Sequence, residues 1–485
     1  YKDFKPYVDY FNSMEDENIA QAIPNARASQ WMEENIPLFE CSQKNFEEMY
    51  YYRWWTLRKH IKETPVGYGM TEFLVNRSYA DKYNLIACAI GHHIYESRWL
   101  RNPEYLNQII HTWYRGNEGG PMAKMTKFSS WNADAVLGRY MVDGNKEFLL
   151  DMVKDLEAEY ARWEKTNRLP NGLYWQGDVQ DGMEESISGG RRKQYARPTI
   201  NSYMYGNAKA LSLIGIMTGD EGMAMKYGLK ADSIKTLVQD KLWNTDHHFF
   251  ETMRGDASAE VREAIGYIPW YFNLPDASSK YTVAWKEVMD EKGFSAPYGL
   301  TTAERRHPEF RTHGVGKCEW DGAIWPFASA QTLTAMANFM NNYPQPVLTD
   351  SVYFHQMERY VESQHHRGRP YIGEYLDEVT GYWLKGDQER SRYYNHSTFN
   401  DLMITGLIGL RPRMDNTVEV NPLIPEGKWD YFCLDNVLYH GRNLTILWDK
   451  DGSRYQRGKG LHIYVDGKEV GHADTLTRVL CENVL

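Results

Sequence analysis

Apolar residues recur at intervals of three and four from about position 44 to position 410, and strict alternation is scarce over that span. The spacing predicts about twelve helices, at 44–61, 80–100, 103–115, 130–142, 146–165, 199–217, 220–243, 259–272, 282–293, 322–343, 348–366 and 396–410. Pro103 suits a first helical turn, Asp220 suits an N-cap, and Gly293 with Pro297 marks a stop. Long loops separate the helices at 116–130, 167–197, 294–320 and 367–395. After Arg413 the pattern changes to short alternating runs rich in β-branched residues, with Asp466-Gly467 set for a two-residue hairpin turn.

The expected fold class is therefore mainly α: six antiparallel helix pairs in an (α/α)6 toroid, followed by a small antiparallel β domain. The expected divisions are an irregular lead-in over 1–42, the toroid over 43–414 and the β domain over 415–485. No period of solenoid type recurs, which argues against stacked helical repeats.

Composition narrows the function. A net charge of −10 with no block of Lys or Arg disfavours nucleic acid as a partner. No run of 18 apolar residues occurs, so membrane insertion is not expected. Aromatic residues reach 14%, with 16 Trp and 35 Tyr, and such rings match the apolar faces of sugars. Five dispersed cysteines suggest neither a disulfide framework nor a zinc site. The pairs His92-His93 and His365-His366 lack the i,i+4 spacing of a helical metal site, and no phosphate-binding glycine motif occurs, so no cofactor and no metal are expected. A first residue of Tyr1 fits removal of a leader, giving the expectation of a periplasmic or secreted protein.

Two acidic, aromatic-lined loops carry the candidate chemistry. "GLYWQGDVQDGMEESISGG" (172–190) holds Asp178, Asp181, Glu184 and Glu185 beside Tyr174, Trp175 and Met183, apolar neighbours able to desolvate a carboxyl. "YIGEYLDEVTG" (371–381) holds Glu374, Asp377 and Glu378 between tyrosines, with "RYYNHSTFND" shortly after. Glycoside hydrolysis needs one carboxylic acid to protonate the leaving oxygen and one carboxylate to activate water.

The same segments resemble glycoside hydrolase family 63, with its mannosylglycerate-hydrolase-like domain, and the related family 37 trehalases. "EYLDEVTG" is similar to the family's general-base segment and "DGMEES" to its general-acid segment. "EWDGAIWPFASAQTL" (319–333) resembles a third shared segment, and all three occur in the family's order. The resemblance implies an (α/α)6 toroid, an inverting and exo-acting enzyme on oligosaccharides, Glu374 as base and Glu184 as acid, with Asp181 as the alternative acid. The sequence departs from the family in carrying Glu at the acid position, Asp321 for an arginine and Leu376 for an asparagine. These departures point to an altered sugar pocket.

Candidate sugar-binding residues are Trp131, Asn132, Trp175, Trp320, Asp321, Trp325, Tyr375, Asn395, His396 and Arg53, each at a loop-to-helix corner, in an acidic loop or on the first toroid helix. Two rival readings stand. One is a polysaccharide lyase that uses Tyr394, Asn395 and His396, with Arg191, Arg192 and Lys193 or Arg367 and Arg369 holding a uronate. The other is a sugar-binding relative without catalysis.

Overall fold

A computed structural model describes residues 3–19 and 21–485. The opening segment carries more order than an irregular lead-in. Helices α1 (Lys5–Ser13) and α2 (Ala28–Asn35) pack on the toroid, and the strand Leu38–Cys41 adds to the C-terminal sheet. Polar residues dominate this stretch, yet Val8, Phe11, Trp31 and Met32 bury one face of each helix.

Helices α3 (Lys44–Lys59), α4 (Ile90–Ser97), α5 (Pro103–Arg115), α6 (Asn132–Asp143), α7 (Lys146–Asn167), α8 (Pro198–Thr218) and α9 (Glu221–Leu237) follow in order. The short α10 (Ile268–Tyr271) and α11 (Ser279–Thr282), then α12 (Pro326–Asn342), α13 (Asp350–Ser363) and the short α14 (Asn400–Leu402), complete the toroid. Helices α3, α8 and α12 are buried nearly all round, as inner-ring helices are. Helix α5 shows one apolar face, formed by Leu106, Ile109, Ile110, Trp113 and Tyr114. The predicted caps form: Asp220 accepts the Met223 N–H at 3.0 Å, and Pro103 opens α5 behind the Asn102 cap.

Four predicted helices are shorter than their apolar patterns. In 80–100 the helix starts only at Ile90, because Tyr83 and Asn84 adopt positive φ (63° and 61°) and Asp81 bridges to Leu85. In 259–272 it shrinks to Ile268–Tyr271, where Pro269 lacks the N–H that an interior position would donate. In 282–293 a 3-10 run, Val283–Val288, replaces it, and in 396–410 Asn400–Leu402 passes into a π-turn, Met403–Leu407. Buried irregular segments and buried helices carry similar apolar density, which spacing alone does not separate.

The β domain centres on a five-stranded antiparallel sheet in the order 38–41, 431–439, 442–449, 460–465, 468–473. Asp466 and Gly467 take positive φ (48° and 81°) at the predicted hairpin. A three-stranded sheet, 410–411, 418–420 and 479–481, lies beside it.

Candidate active site

Between α7 and α8 the chain forms the first acidic loop, and its shape is fixed from below by Asp181. One carboxylate oxygen accepts from Arg197 Nε at 2.7 Å and from Thr199 Oγ1 at 2.6 Å; the other accepts a close bond from Ser129. Gly182 then turns left-handed (φ 72°), where a Cβ would lie 3.3 Å from the Cys88 side chain, and the Met183 N–H bonds the Asp178 carbonyl at 2.9 Å. Glu185 also sits at positive φ (68°), a strained state for a residue with a side chain. Glu184, between these turns, is half-buried. Burial pushes its carboxyl up to about 7; the negative charges of Asp178 and Glu374 add to this, and Arg191 opposes it.

The second loop is stitched to the start of α12. Ile324 and Leu376 exchange backbone hydrogen bonds of 3.1 and 3.0 Å, and the Tyr394 N–H bonds the Ile372 carbonyl at 3.1 Å. Gly373 is required, because a Cβ there would lie 2.6 Å from the Tyr371 ring. Glu374 is buried, accepts from Ser391 Oγ at 2.9 Å and has the Arg390 guanidinium at 3.6 Å. The Glu374 backbone carbonyl meets the His396 ring. Burial, then the nearby His92, Arg53 and His93, push His396 well below the usual imidazole range, so the ring is neutral.

Three predicted residues form one aromatic wall. Trp320 stacks on Trp325 (centroids 4.6 Å apart) and Trp325 on Tyr375 (4.5 Å), with His396 tilted 6.0 Å from Trp325. The buried indole N–H groups of Trp320 and Trp325 and the Nε2 of His396 have no hydrogen-bond partner among the described residues. A loop, 311–319, is drawn toward this wall. Asp321 Oδ2 accepts the N–H groups of His313 (3.0 Å) and Gly314 (2.8 Å), Tyr375 donates closely to the Lys317 carbonyl, and Arg311 pairs with Glu319 (2.9 Å), Asp377 (3.4 Å) and Glu378. Asp321 thus holds a loop, with its second oxygen unpartnered among the described residues, and does not cap α12, which begins at Pro326.

Other predicted residues are drawn elsewhere. Trp131 is fully buried among His92, Tyr203, Tyr271 and Phe327, with its N–H on Tyr271 Oη at 3.1 Å. Asn132 donates to Glu159 at 3.1 Å. Arg53 is a core residue on Gln364 (2.9 Å) and Ser397 (2.8 Å), one position from His396. Asn395 ties the 394–396 segment to Thr71 and Glu72. Trp175 is half-buried, bridging to Ala196 and bonding Asn167. A packed or hydrogen-bonded role takes up these five side chains or their backbones.

Sequence reasoning missed Glu72, Cys88, Cys318, Arg390 and Ser391. Cys318 lies in the 311–319 loop: burial pushes its thiol up to about 12, with Glu184 and Glu374 both adding to the shift. The charges of both carboxyls are felt at this thiol, and that of Glu374 is felt at Glu184. "QERSRYY" (388–394) beside the base loop was the available signal for Arg390 and Ser391, whereas the hairpin residue Glu72 gave none. Among the described residues, one His/Glu group has metal-ligand spacing: His247, Glu251 and Glu260. Both ring nitrogens of His247 already face carboxylates, at 2.7 and 3.1 Å, and the group lies on the 243–260 hairpins rather than in the catalytic loops.

Residues 82–397 match the family model of the mannosylglycerate hydrolase MGH1-like glycoside hydrolase domain, and residues 410–472 that of the glycosyl hydrolase family 65 C-terminal domain. A solved protein named sialidase is 84% identical with a TM-score of 0.99, over 100% of this chain and 45% of that one, so this chain spans under half of that protein's length. The GH63 mannosylglycerate hydrolase from Thermus thermophilus, solved with glucose, is 12% identical with a TM-score of 0.55, over 73% of this chain and 99% of that one. The GH78 rhamnosidase of Bacillus sp. GL1 is 11% identical with a TM-score of 0.53, over 88% and 41% respectively. The last two share the fold.

Proposed function

The chain belongs to the mannosylglycerate hydrolase MGH1-like glycoside hydrolase family, and from that premise we propose that it is an exo-acting, inverting glycosidase with Glu184 as general acid and Glu374 as general base. One observation carries the reading: two carboxyls, one of which feels the charge of the other, have opposite surroundings. Glu184 is held protonated near neutral pH by burial and by neighbouring negative charge. Glu374 has a hydroxyl donor and a guanidinium, the partners that a carboxylate acting as base requires.

In the proposed step the Glu184 proton passes to the glycosidic oxygen as the bond to the anomeric carbon breaks. Glu374 takes a proton from a water on the opposite sugar face, and that water's oxygen attacks the oxocarbenium-like centre. The anomer inverts, leaving Glu184 ionised and Glu374 protonated, and exchange with solvent restores both. A pair acting in this way is expected to stand roughly 6.5–9.5 Å apart, with room for the water.

Asp181 is the weaker acid candidate, because its oxygens are taken by an arginine and two hydroxyls. An enclosed, terminal-sugar pocket is supported by the 311–319 loop held over the aromatic wall. The lyase reading loses its base. Tyr394 donates to Glu72, and burial with the charges of Glu72 and Glu374 pushes the phenol well above its ordinary value, away from the ionised form. The sialidase name belongs to a protein more than twice this chain's length, and its activity is not carried over to this chain.

The test is a panel of aryl-glycosides and oligosaccharides, with the first-formed anomer followed by proton NMR. Inversion together with loss of turnover in Glu374→Gln supports the reading; retention of configuration, or sugar binding with no cleavage of any glycan, overturns it.

A further inference from the structure

Glu72 leaves the 61–70 hairpin and is fully enclosed, 3% exposed. Its carboxyl receives the Cys88 thiol at 2.9 Å on one oxygen and the Tyr394 hydroxyl on the other, and its backbone carbonyl receives the Asn395 N–H at 2.9 Å. Each partner borders the site. Cys88 packs against Gly182, two residues before Glu184, and the Tyr394 ring meets His396 edge-on with centroids 4.0 Å apart. No arginine or lysine pairs with this carboxyl among the described residues. A buried acid that meets neutral donors and no cation among the described residues, and that feels the charges of Glu374 and Glu184, carries a desolvation cost that its two hydrogen bonds oppose without removing.

We propose that Glu72 is a third carboxyl of this active site, a positioning residue that fixes Tyr394 beside His396 and, through its charge, helps keep the proton on Glu184. The inference rests on the assignment of Glu184 and Glu374 given above. The groups that face Glu72 are Tyr79, Cys88, Tyr394, Glu184 and Glu374, and those that face Glu184 further include Asp178 and Arg191. Burial is the largest effect on Glu72 and pushes it up to about 7. The two hydrogen bonds oppose this, and Glu374 and Glu184 add to it. Glu72 and Glu184 therefore titrate in one range as a coupled pair, each charge discouraging the other.

The test reads carboxyl protonation directly, by infrared difference titration of the protonated C=O stretch in wild type, Glu72→Gln and Glu184→Gln. Other buried acids such as Asp134 and Glu159, also pushed up to about 7, cancel in wild-type-minus-variant spectra. In Glu72→Gln the Glu184 band should lose its proton at a pH lower by about one unit, and in Glu184→Gln the Glu72 band should shift down likewise. The alkaline limb of kcat/KM in Glu72→Gln should move by the same amount. Two bands lost additively, with neither midpoint moved, would overturn the proposal, and the Glu184→Gln arm decides alone if Glu72→Gln does not fold. The infrared readout needs no substrate, so a chain that cleaves no glycan yet shows reciprocal shifts refutes the glycosidase assignment and leaves Glu72 where we place it.

Discussion

Arg197 Nε stands 2.7 Å from Asp181 Oδ2, and neither side chain exposes any surface to solvent. That pair separates two roles within four residues of sequence. Asp181 answers a buried cation and holds the loop, while Glu184, beyond the Gly182 turn, meets no cation that close among the described residues and keeps its proton. Asp181→Asn removes the carboxylate bonded to a buried guanidinium, leaving it the charges of Glu263 and Asp178, and should cost about 3 kcal/mol of stability. Glu184→Gln should leave the melting temperature nearly unchanged and reduce kcat/KM by about 10²–10⁴-fold. Thermal melts beside kinetics check the split, and a stable Asp181→Asn with lost turnover would move the acid to that residue.

The alkaline limb of kcat/KM should lie at about pH 7, where Glu184 gives up its proton. Asp178 raises Glu184 more than Glu374 does, so Asp178→Asn removes a repulsion and should move the limb to lower pH. A limb that stays in place would show that burial alone sets the acid.

Stability should fall as pH rises from about 6.5 to 8; at lower pH the buried His60, His92, His93 and His396, pushed below the usual imidazole range by burial, take up protons on unfolding and offset the acids. Glu72, Glu184, Asp134 and Glu159 are each pushed up to about 7 in the folded chain, mainly by burial, against ordinary values of 4.5 for Glu and 3.8 for Asp. Between those limits these four acids bind more protons in the folded state than in the unfolded one, so their favourable contribution is complete below the unfolded values and is lost as pH passes the folded ones. Melting temperatures measured across that range should decline by several degrees; a flat or rising profile would mean that these acids are solvated.

Much of this architecture was readable in advance where one physical rule dominated. Helices α5, α7 and α9 carry clean caps and amphipathic faces, and their boundaries fall within a few residues of the pattern. The Asp466-Gly467 hairpin follows from turn chemistry. The two acidic loops stood out because glycines and aromatics surround their carboxylates, and the resemblance to family 63 singled out Glu184 and Glu374 within them. Trp131 and Arg53 went to the core because toroid centres are built from large side chains, and sequence does not distinguish an indole that lines a pocket from one that plugs an axis. Glu72 was invisible for the opposite reason: its neighbours Cys88, Tyr394 and Glu374 come from separate stretches of chain, and only the fold brings them together.

The last prediction concerns closure over the sugar. Arg311 reaches Glu319 from one side and Asp377 and Glu378 from the other, joining the 311–319 loop to the loop that bears Glu374. Arg311→Gln keeps hydrogen bonding but leaves three carboxylates facing one another without their cation, and like charges at that range repel. The loop should open away from the Trp320–Trp325–Tyr375 wall, admitting water beside Glu184 and weakening its desolvation. KM should then rise roughly tenfold, equivalent to about 1.4 kcal/mol of binding, and the alkaline limb should fall, since burial is the largest cause of the raised Glu184 value. A purely structural role would lower the melting temperature without moving that limb, so kinetics at several pH values beside thermal melts decide between them. Raised ionic strength should weaken binding in the wild type less than the substitution does, because the Arg311 cluster is largely shielded from solvent.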